Sequence, residues 1–489
     1  MWRRVFQRSL STLKTGQPIH ETRPNLIRKG DITPFISAVE YFQRRVKLAQ
    51  RLPAKSLVII PSNIIKYASG AVFYQFQQNN DLFYLSGWNE PDSVLVLAKP
   101  TDNIDDLQFH LIVPPKEPAI ELWEGQRTGE EGATEIFNAD EAHSNKDIER
   151  LLSTMIKSYD TVYYDFSSEK SSKFKRFFTS AFKENRPENR HTIEAILREN
   201  NKIIKPLTPH LSSLRAIKSN SELRLMQLAS RISAKAYNMA YSTHLRSEKG
   251  LDSFLSHNFK LAGCDDIAYI PVVAGGANAL CIHYTRNDAV LEDGDLVLVD
   301  AAGKLGGYCS DISRTWPVNG KFTAAQAELY EAVLNVNKQC IELCRASLGY
   351  SLNDIHEQSV KIMTKELRNC GFNDLQSWEV SRDLYPHYIG HNLGLDVHDV
   401  PNYSRYAELK QGQVITIEPG VYIPEDDNKW PKEFRGIGIR IEDDVAVGQN
   451  NYVVLTKDAK KEIKDLESLG SKMKDLESEV IDVYSAYNL

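Results

Sequence analysis

No stretch of 18 consecutive apolar residues occurs in this 489-residue sequence, which excludes a membrane-spanning helix. Cysteine is scarce and scattered, at positions 264, 281, 309, 340, 344 and 370, and no CxxC pair occurs. That pattern excludes a disulfide scaffold or a thiolate zinc knuckle and predicts free or buried thiols in a reducing compartment. Cys340 and Cys344 fall one helical turn apart. Clustered positive charge is also lacking: the net charge is −6 and basic residues are dispersed beyond the first 14 positions. No footprint for nucleic acid results. No internal repeat is visible; Lys-Asp-Leu-Glu-Ser recurs from Lys464 and from Lys474, as coincidence within an amphipathic helical tail.

What the chain does contain is a globular composition, 42% hydrophobic and 25% charged. Its length exceeds one ordinary core, so two domains are expected. The first 20 residues form a distinct segment. Arg3, Arg4, Arg8 and Lys14 precede the first acid, Glu21. At a helical pitch, Trp2, Val5, Phe6, Leu10 and Leu13 fall within an arc of about 140° that excludes the basic residues. A basic, acid-free, Ser-containing amphipathic start predicts a mitochondrial presequence over 1–20 that is removed after import.

Residues 31–185 alternate strands and helices. Ser56–Ile60, Ser93–Leu97, Phe109–Val113 and Thr161–Phe166 are the predicted strands. Phe35–Leu52 is a predicted helix, with Ala38, Phe42, Val46 and Ala49 at helical spacing. A polar stretch over 186–215 reads as a linker or insertion. A long helix then opens at Ser219-Asn-Ser-Glu-Leu, with Ser221 or Asn220 as N-cap. It begins a second domain over 216–465, followed by a helical tail over 466–489.

Chemistry concentrates in that second domain. Asp295–Asp300 and Tyr308–Thr315 read as strands of a hairpin turned by Gly303-Lys-Leu-Gly-Gly307. A turn centred between Leu305 and Gly306 sets Asp300 directly opposite Asp311. Opposed carboxylates repel unless they are solvated, share a proton, or bind a cation. Two more apolar strands end in acids: Gln413–Ile417 runs into Glu418, and Gly438–Ile441 runs into Glu442. Between the two acidic pairs lies His387-Tyr-Ile-Gly-His391-Asn-Leu-Gly-Leu-Asp-Val-His398. Two Asp, two Glu and a His form an oxygen-rich set suited to Mn²⁺, Mg²⁺ or Co²⁺ rather than structural zinc. Read singly, each acid is more often a solvated strand end than a ligand. The i, i+4 spacing of His387 and His391 lacks the HExxH glutamate, and Gly390 and Gly394 place these residues on a loop.

Taken in order, Leu291–Asp300, Tyr308–Thr315, His387–Asp399, Ile417–Tyr422 and Arg435–Asp444 resemble the aminopeptidase P branch of the pita-bread metallopeptidases. The resemblance covers about Thr22 to Asp465. The stretches Gly16–Ile27 and Pro386–Gly394 are most similar to the mitochondrial members of that branch. The resemblance implies an α/β (α+β) architecture: a smaller creatinase/aminopeptidase P-type amino-terminal domain and a pita-bread catalytic domain of two related halves. It implies two divalent ions, commonly manganese, held by Asp300, Asp311, His391, Glu418 and Glu442, with Asp311 and Glu442 bridging both.

By the same resemblance a metal-bridged hydroxide attacks the first peptide bond, and Glu418 shuttles the proton to the departing amine. His283, His387 and His398 match the three active-site histidines, at the substrate and the tetrahedral intermediate. Arg440 and Tyr422 match a pair supporting the ligand carboxylates, although a strand tyrosine needs no such role. Trp123, in Leu122–Gly129, matches a segment that reaches a neighbouring subunit's site; a core tryptophan is the other reading. Tyr388, Ile389 and Pro401 depart from proline-specific relatives, so strict X-Pro preference is not implied.

The implied activity is removal of one N-terminal residue from imported proteins after presequence cleavage. Protein or peptide N-termini are the partners, self-association is expected, and the place is the matrix or the matrix face of the inner membrane. A second pool, such as a nuclear one, is compatible with the sequence. The alternatives are a general X-Pro aminopeptidase, a prolidase-like dipeptidase, and a binding module without chemistry.

Overall fold

The computed structural model describes residues 14–166, 188–200 and 202–475. The basic amphipathic start up to residue 13 and the tail from 476 lie outside the described residues. The chain divides into two units, Met1–Arg215 and Ala216–Leu489.

The first unit is built on six strands: β1 (Ser56–Pro61), β2 (Val94–Lys99), β3 (Gln108–Val113), β4 (Glu141–Ser144), β5 (Thr161–Tyr163) and β6 (Ile203–Lys205). Their order is β6-β5-β1-β2-β3-β4, with antiparallel β1/β2 and β2/β3 pairs and parallel neighbours elsewhere. β1 and β2 are buried along their whole length, which is why their apolar runs do not alternate. Helix α1 (Ala38–Ala49) is capped by Ser37, but its buried face is Tyr41, Arg44, Arg45 and Leu48. Phe42, expected inside, is exposed. The arginines take the inner positions because they donate to the carbonyls of Tyr84 and Leu85 and stack on Tyr84 and Phe109.

The 186–215 stretch is no linker in its described part. Helices α2 (Ile148–Ser158) and α3 (Glu188–Glu199) bury Ile148, Leu152, Ile156, Ile193, Ile196 and Leu197 against the sheet. β6 then pairs with β5. An apolar triad hidden among charged residues builds the core where composition alone suggested none.

In the second unit, α4 (Asn220–Ala240) opens with a capping box between Ser219 and Glu222. The cap is therefore Ser219, one turn before its glutamate, rather than Asn220 or Ser221. Further elements are α5 (Glu248–Leu261), β7 (Val272–Gly275), β8 (Leu296–Asp300), β9 (Gly303–Leu305), β10 (Tyr308–Cys309), β11 (Ser313–Pro317), α6 (Ala324–Ile341), α7 (Leu352–Asn369), β12 (Val414–Ile417), β13 (Gly420–Tyr422), β14 (Gly438–Arg440) and β15 (Asp443–Val447). Antiparallel β8/β11 and β12/β15 form two comparable halves, each ending at acids. Among its described residues, the tail is helical over Ile463–Gly470. Lys474–Asp475, which opens the second Lys-Asp-Leu-Glu-Ser, is a strand paired with Thr243–His244.

Candidate metal centre

The hairpin register differs from the sequence expectation. Asp300 faces Ser313, and Lys304 faces Cys309. The turn is the two-residue Gly306-Gly307, both at positive φ, which only glycine adopts freely. Asp311 is thereby shifted two residues from the position opposite Asp300. Diagonal neighbours share a sheet face and long side chains span the gap. Both carboxylates accordingly meet the hydroxyl of Tyr269, at 2.5 Å from Asp300 Oδ1 and 2.6 Å from Asp311 Oδ1.

The other half repeats this device. The segment 389–393 runs antiparallel to β12: Glu418 N donates to Ile389 O, Thr416 N to His391 O, and Leu393 N to Val414 O. His391 thus faces Thr416, with Glu418 its diagonal neighbour. Gly390 makes this approach possible, because a Cβ there would lie 1.9 Å from the carbonyl oxygen of Thr416. His391 Nε2 lies 3.6 Å from Glu418 Oε1 and 3.5 Å from Asp311 Oδ2. Donor atoms of Asp311, His391 and Glu442 fall within 4.8 Å of one another. The five expected ligand residues are therefore linked through Tyr269, His391 and this cluster.

Arg440 organises the surrounding bonds. Its Nη2 donates to Asp300 Oδ2 over 2.7 Å, Nη1 to the Tyr422 hydroxyl over 2.9 Å, and Nε to Ser313 Oγ over 2.9 Å. Ser313 in turn donates to Glu442 Oε2 over 2.7 Å. Asp444 accepts from Ser310, Ser230 and the Asp311 amide, which pins the backbone at Asp311. Asn337 of α6 donates to the carbonyls of Ile417 and Ile441, the residues just before Glu418 and Glu442.

Electrostatics make the cluster uncomfortable without a cation. Burial, reinforced by the neighbouring acids, raises the carboxyls of Asp300 and Glu442, and pushes Glu418 up to about 7 although His391 and Arg440 oppose it. Burial works against a charged His391, yet Asp311 and Glu418 push it up to about 9. Tyr269 has one proton for two carboxylates, so the second contact needs a proton or cation on one of the acids. Four carboxylates and an imidazole around one small space fit hard divalent cations, and Arg440 alone cannot balance them.

The remaining residues lie around this cluster. His387 Nε2 is 3.0 Å from Tyr422, and its Nδ1 is 2.9 Å from the Tyr388 carbonyl and 3.8 Å from Glu418. The His398 ring packs edge-on against His391, centroids 4.4 Å apart. His283 is exposed; burial above all, with His283 a minor contributor, lowers both His387 and His398. Tyr388 lies beneath Arg405, 3.7 Å from the guanidinium, whereas Ile389 is buried. Val400, just before Pro401, has φ +44°, a strained value for a β-branched residue. A cavity of about 740 Å³ opens beside Tyr422, lined by Leu280, Ile282 and Pro386 and by the acids Glu425, Asp426 and Asp427. Trp123 belongs to the first unit, where it is 85% exposed on the short helix Pro118–Glu124 and is not a core residue.

Sequence reasoning missed Tyr269, Ser313, Asn337 and the role of Asp444. Tyr269 and Asn337 carry no motif. Ser313 and Asp444 stood inside the motifs, but only the register reveals what they touch. All six cysteines are free, and Cys344 lies beyond the end of α6, donating to the Cys340 carbonyl.

Comparison with known proteins adds to this geometry. Residues 224–449 match the model of metallopeptidase family M24, and residues 41–163 that of the aminopeptidase P N-terminal domain. The chain is 55% identical over 460 residues to Intermediate cleaving peptidase 55 of Saccharomyces cerevisiae, covering 94% of this chain and 89% of that protein. It is 37% identical to Intermediate cleaving peptidase 55, mitochondrial, of Arabidopsis thaliana, covering 93% and 87%. A crystal structure of Icp55 from Saccharomyces cerevisiae bound to apstatin inhibitor superposes with a TM-score of 0.78 at 52% identity, covering 90% of this chain and all of that one.

Proposed function

This chain belongs to metallopeptidase family M24, and we propose from that premise that it trims single N-terminal residues from imported mitochondrial proteins. The enzyme is a metal-dependent aminopeptidase, a hydrolase with an aminopeptidase P-type first domain and a pita-bread second domain. The observation that carries the reading is the convergence of Asp300, Asp311, His391, Glu418 and Glu442 from both halves of one unit. The 55% identity to an intermediate cleaving peptidase favours trimming after presequence removal over general X-Pro cleavage. The name of the Arabidopsis relative supports a mitochondrial place.

Divalent ions belong to the family chemistry, and manganese suits the oxygen-rich donors. The five residues would hold two such ions, which when bound activate water and polarise the scissile carbonyl. Glu418 is the candidate to carry the proton from the attacking water to the departing amine. Arg440 keeps Asp300 and, through Ser313, Glu442 in their orientations. Arg440 can only donate, so Tyr422 accepts from it and gives its own proton to His387 Nε2. His387 then carries its proton on Nδ1, bonded to the Tyr388 carbonyl. By family resemblance, His283 and His398 act beside the substrate and the tetrahedral intermediate, a role that His398's packing against His391 supports. The acids of the adjoining cavity favour a positively charged chain end. Self-association, a matrix or inner-membrane-face position, and substrate contact by Trp123 complete the proposal; no helix among the described residues is long and apolar enough to cross a membrane.

Profiling mitochondrial N-termini with and without this protein tests the reading. Its loss should leave a set of imported proteins one residue longer. Unchanged N-termini, with purified enzyme cleaving only X-Pro peptides, would establish the general X-Pro activity instead.

A further inference from the structure

The sheet of the first unit brings three other donor side chains together. β3 and β4 run parallel, with His110 opposite Glu141 and Ile112 opposite His143. Opposed residues, and residues two apart, share a face, so His110, Glu141 and His143 project from one side of the sheet. Glu141 Oε2 lies 3.6 Å from His110 Nδ1 and 3.3 Å from His143 Nε2. The two imidazoles stand nearly parallel, centroids 6.0 Å apart. One donor atom from each residue lies within 4.8 Å of the other two. Ligands about 2.0–2.2 Å from a tetrahedral ion stand about 3.3–3.6 Å from one another. Both contacts to Glu141 already have that spacing.

His110 supplies an independent pointer. It is 5% exposed, and neither ring nitrogen has a hydrogen-bond partner. Native interiors rarely leave a buried polar ring unsatisfied, because the lost solvation is not recovered. At 3.6 Å, Glu141 is beyond hydrogen-bond reach of His110 Nδ1. An ion between them would satisfy that nitrogen, together with the more exposed Glu141 and His143.

We propose that His110, Glu141 and His143 form a further metal site, taking a borderline divalent ion of the zinc type and stapling edge strand β4 to β3. Two imidazoles and one carboxylate are softer than the oxygen-rich set of the second unit, so zinc or cobalt is favoured here over manganese or magnesium. Three donors leave one tetrahedral position for water.

The test uses the full chain, stripped by chelator and dialysed against zinc alone, with bound zinc counted by mass spectrometry. Glu141→Gln and His143→Ala each remove a donor that reaches solvent, and matching circular dichroism would establish that both variants fold. The wild type should hold one more zinc per chain than either variant. Cobalt loading should give a tetrahedral visible absorption component that both variants lose. Equal zinc counts in all three proteins, with identical cobalt spectra, would overturn the proposal.

Discussion

The hydroxyl of Tyr422 accepts from Arg440 Nη1 over 2.9 Å, which commits the phenol's only proton to His387 Nε2, 3.0 Å away. One donor-only guanidinium therefore fixes the tautomer of an imidazole it does not touch. Burial and Arg440 also lower His387 to about 3, so the ring is neutral at working pH. Tyr422→Phe removes both bonds while keeping the ring. Activity should fall about 10–100-fold, the usual effect of losing a partner that orients a metal site. Thermal unfolding should show the fold retained, and kcat should carry most of the loss.

Asp311→Ala should abolish peptide hydrolysis and lower the number of divalent ions retained. Asp311 touches Tyr269, His391 and, through its amide, Asp444, so the site would lose a candidate donor from its centre. Metal analysis beside a peptide assay checks this; a wild-type rate would refute the assignment.

Asn337→Ala should destabilise the enzyme by about 2–6 kcal/mol, since two buried carbonyls lose their donor at roughly 1–3 kcal/mol each. These are the carbonyls of Ile417 and Ile441, at 3.0 and 3.2 Å. Glu418 and Glu442 follow directly, so metal affinity should weaken as well. Denaturant titration and metal competition measure the two effects.

Glu90, in the first unit, offers a pH test away from the metal centre. Burial raises its carboxyl despite hydrogen bonds from Thr128. A raised acid holds its proton more firmly folded than unfolded, so folding gains stability as pH falls from above the folded value towards the unfolded one, about 4.3. Glu90→Gln should lose this dependence. The variant's advantage over wild type should be greatest at pH 8 and shrink steadily as the pH is lowered. Paired denaturation curves at several pH values read the difference directly.

The amino-acid order alone made the candidate donors legible. Asp300, Glu418 and Glu442 each follow a short run rich in β-branched or aliphatic residues, a pattern that favours a strand. Capping was half legible: Ser219 and Glu222 stood in the sequence, but several polar residues competed for the cap until the helix start was known. The α1 face was misread because Arg44 and Arg45 count as polar, whereas burial depended on carbonyls about forty residues away in Tyr84 and Leu85. The 186–215 stretch failed for a similar reason, since three apolar side chains suffice when a sheet waits to receive them.

Residue type and spacing determined which chemistry this protein could support: hard oxygen donors with one imidazole, at the ends of buried strands. Tertiary structure decided how those donors meet. A Gly306-Gly307 turn shifts Asp311 to the diagonal of Asp300, and a missing side chain at Gly390 lets the His391 segment lie against β12. Tyr269, Ser313 and Asn337 come from unrelated places to hold the result. Local preferences are written in neighbouring residues, whereas long-range hydrogen bonds depend on packing between segments from 25 to 140 positions apart.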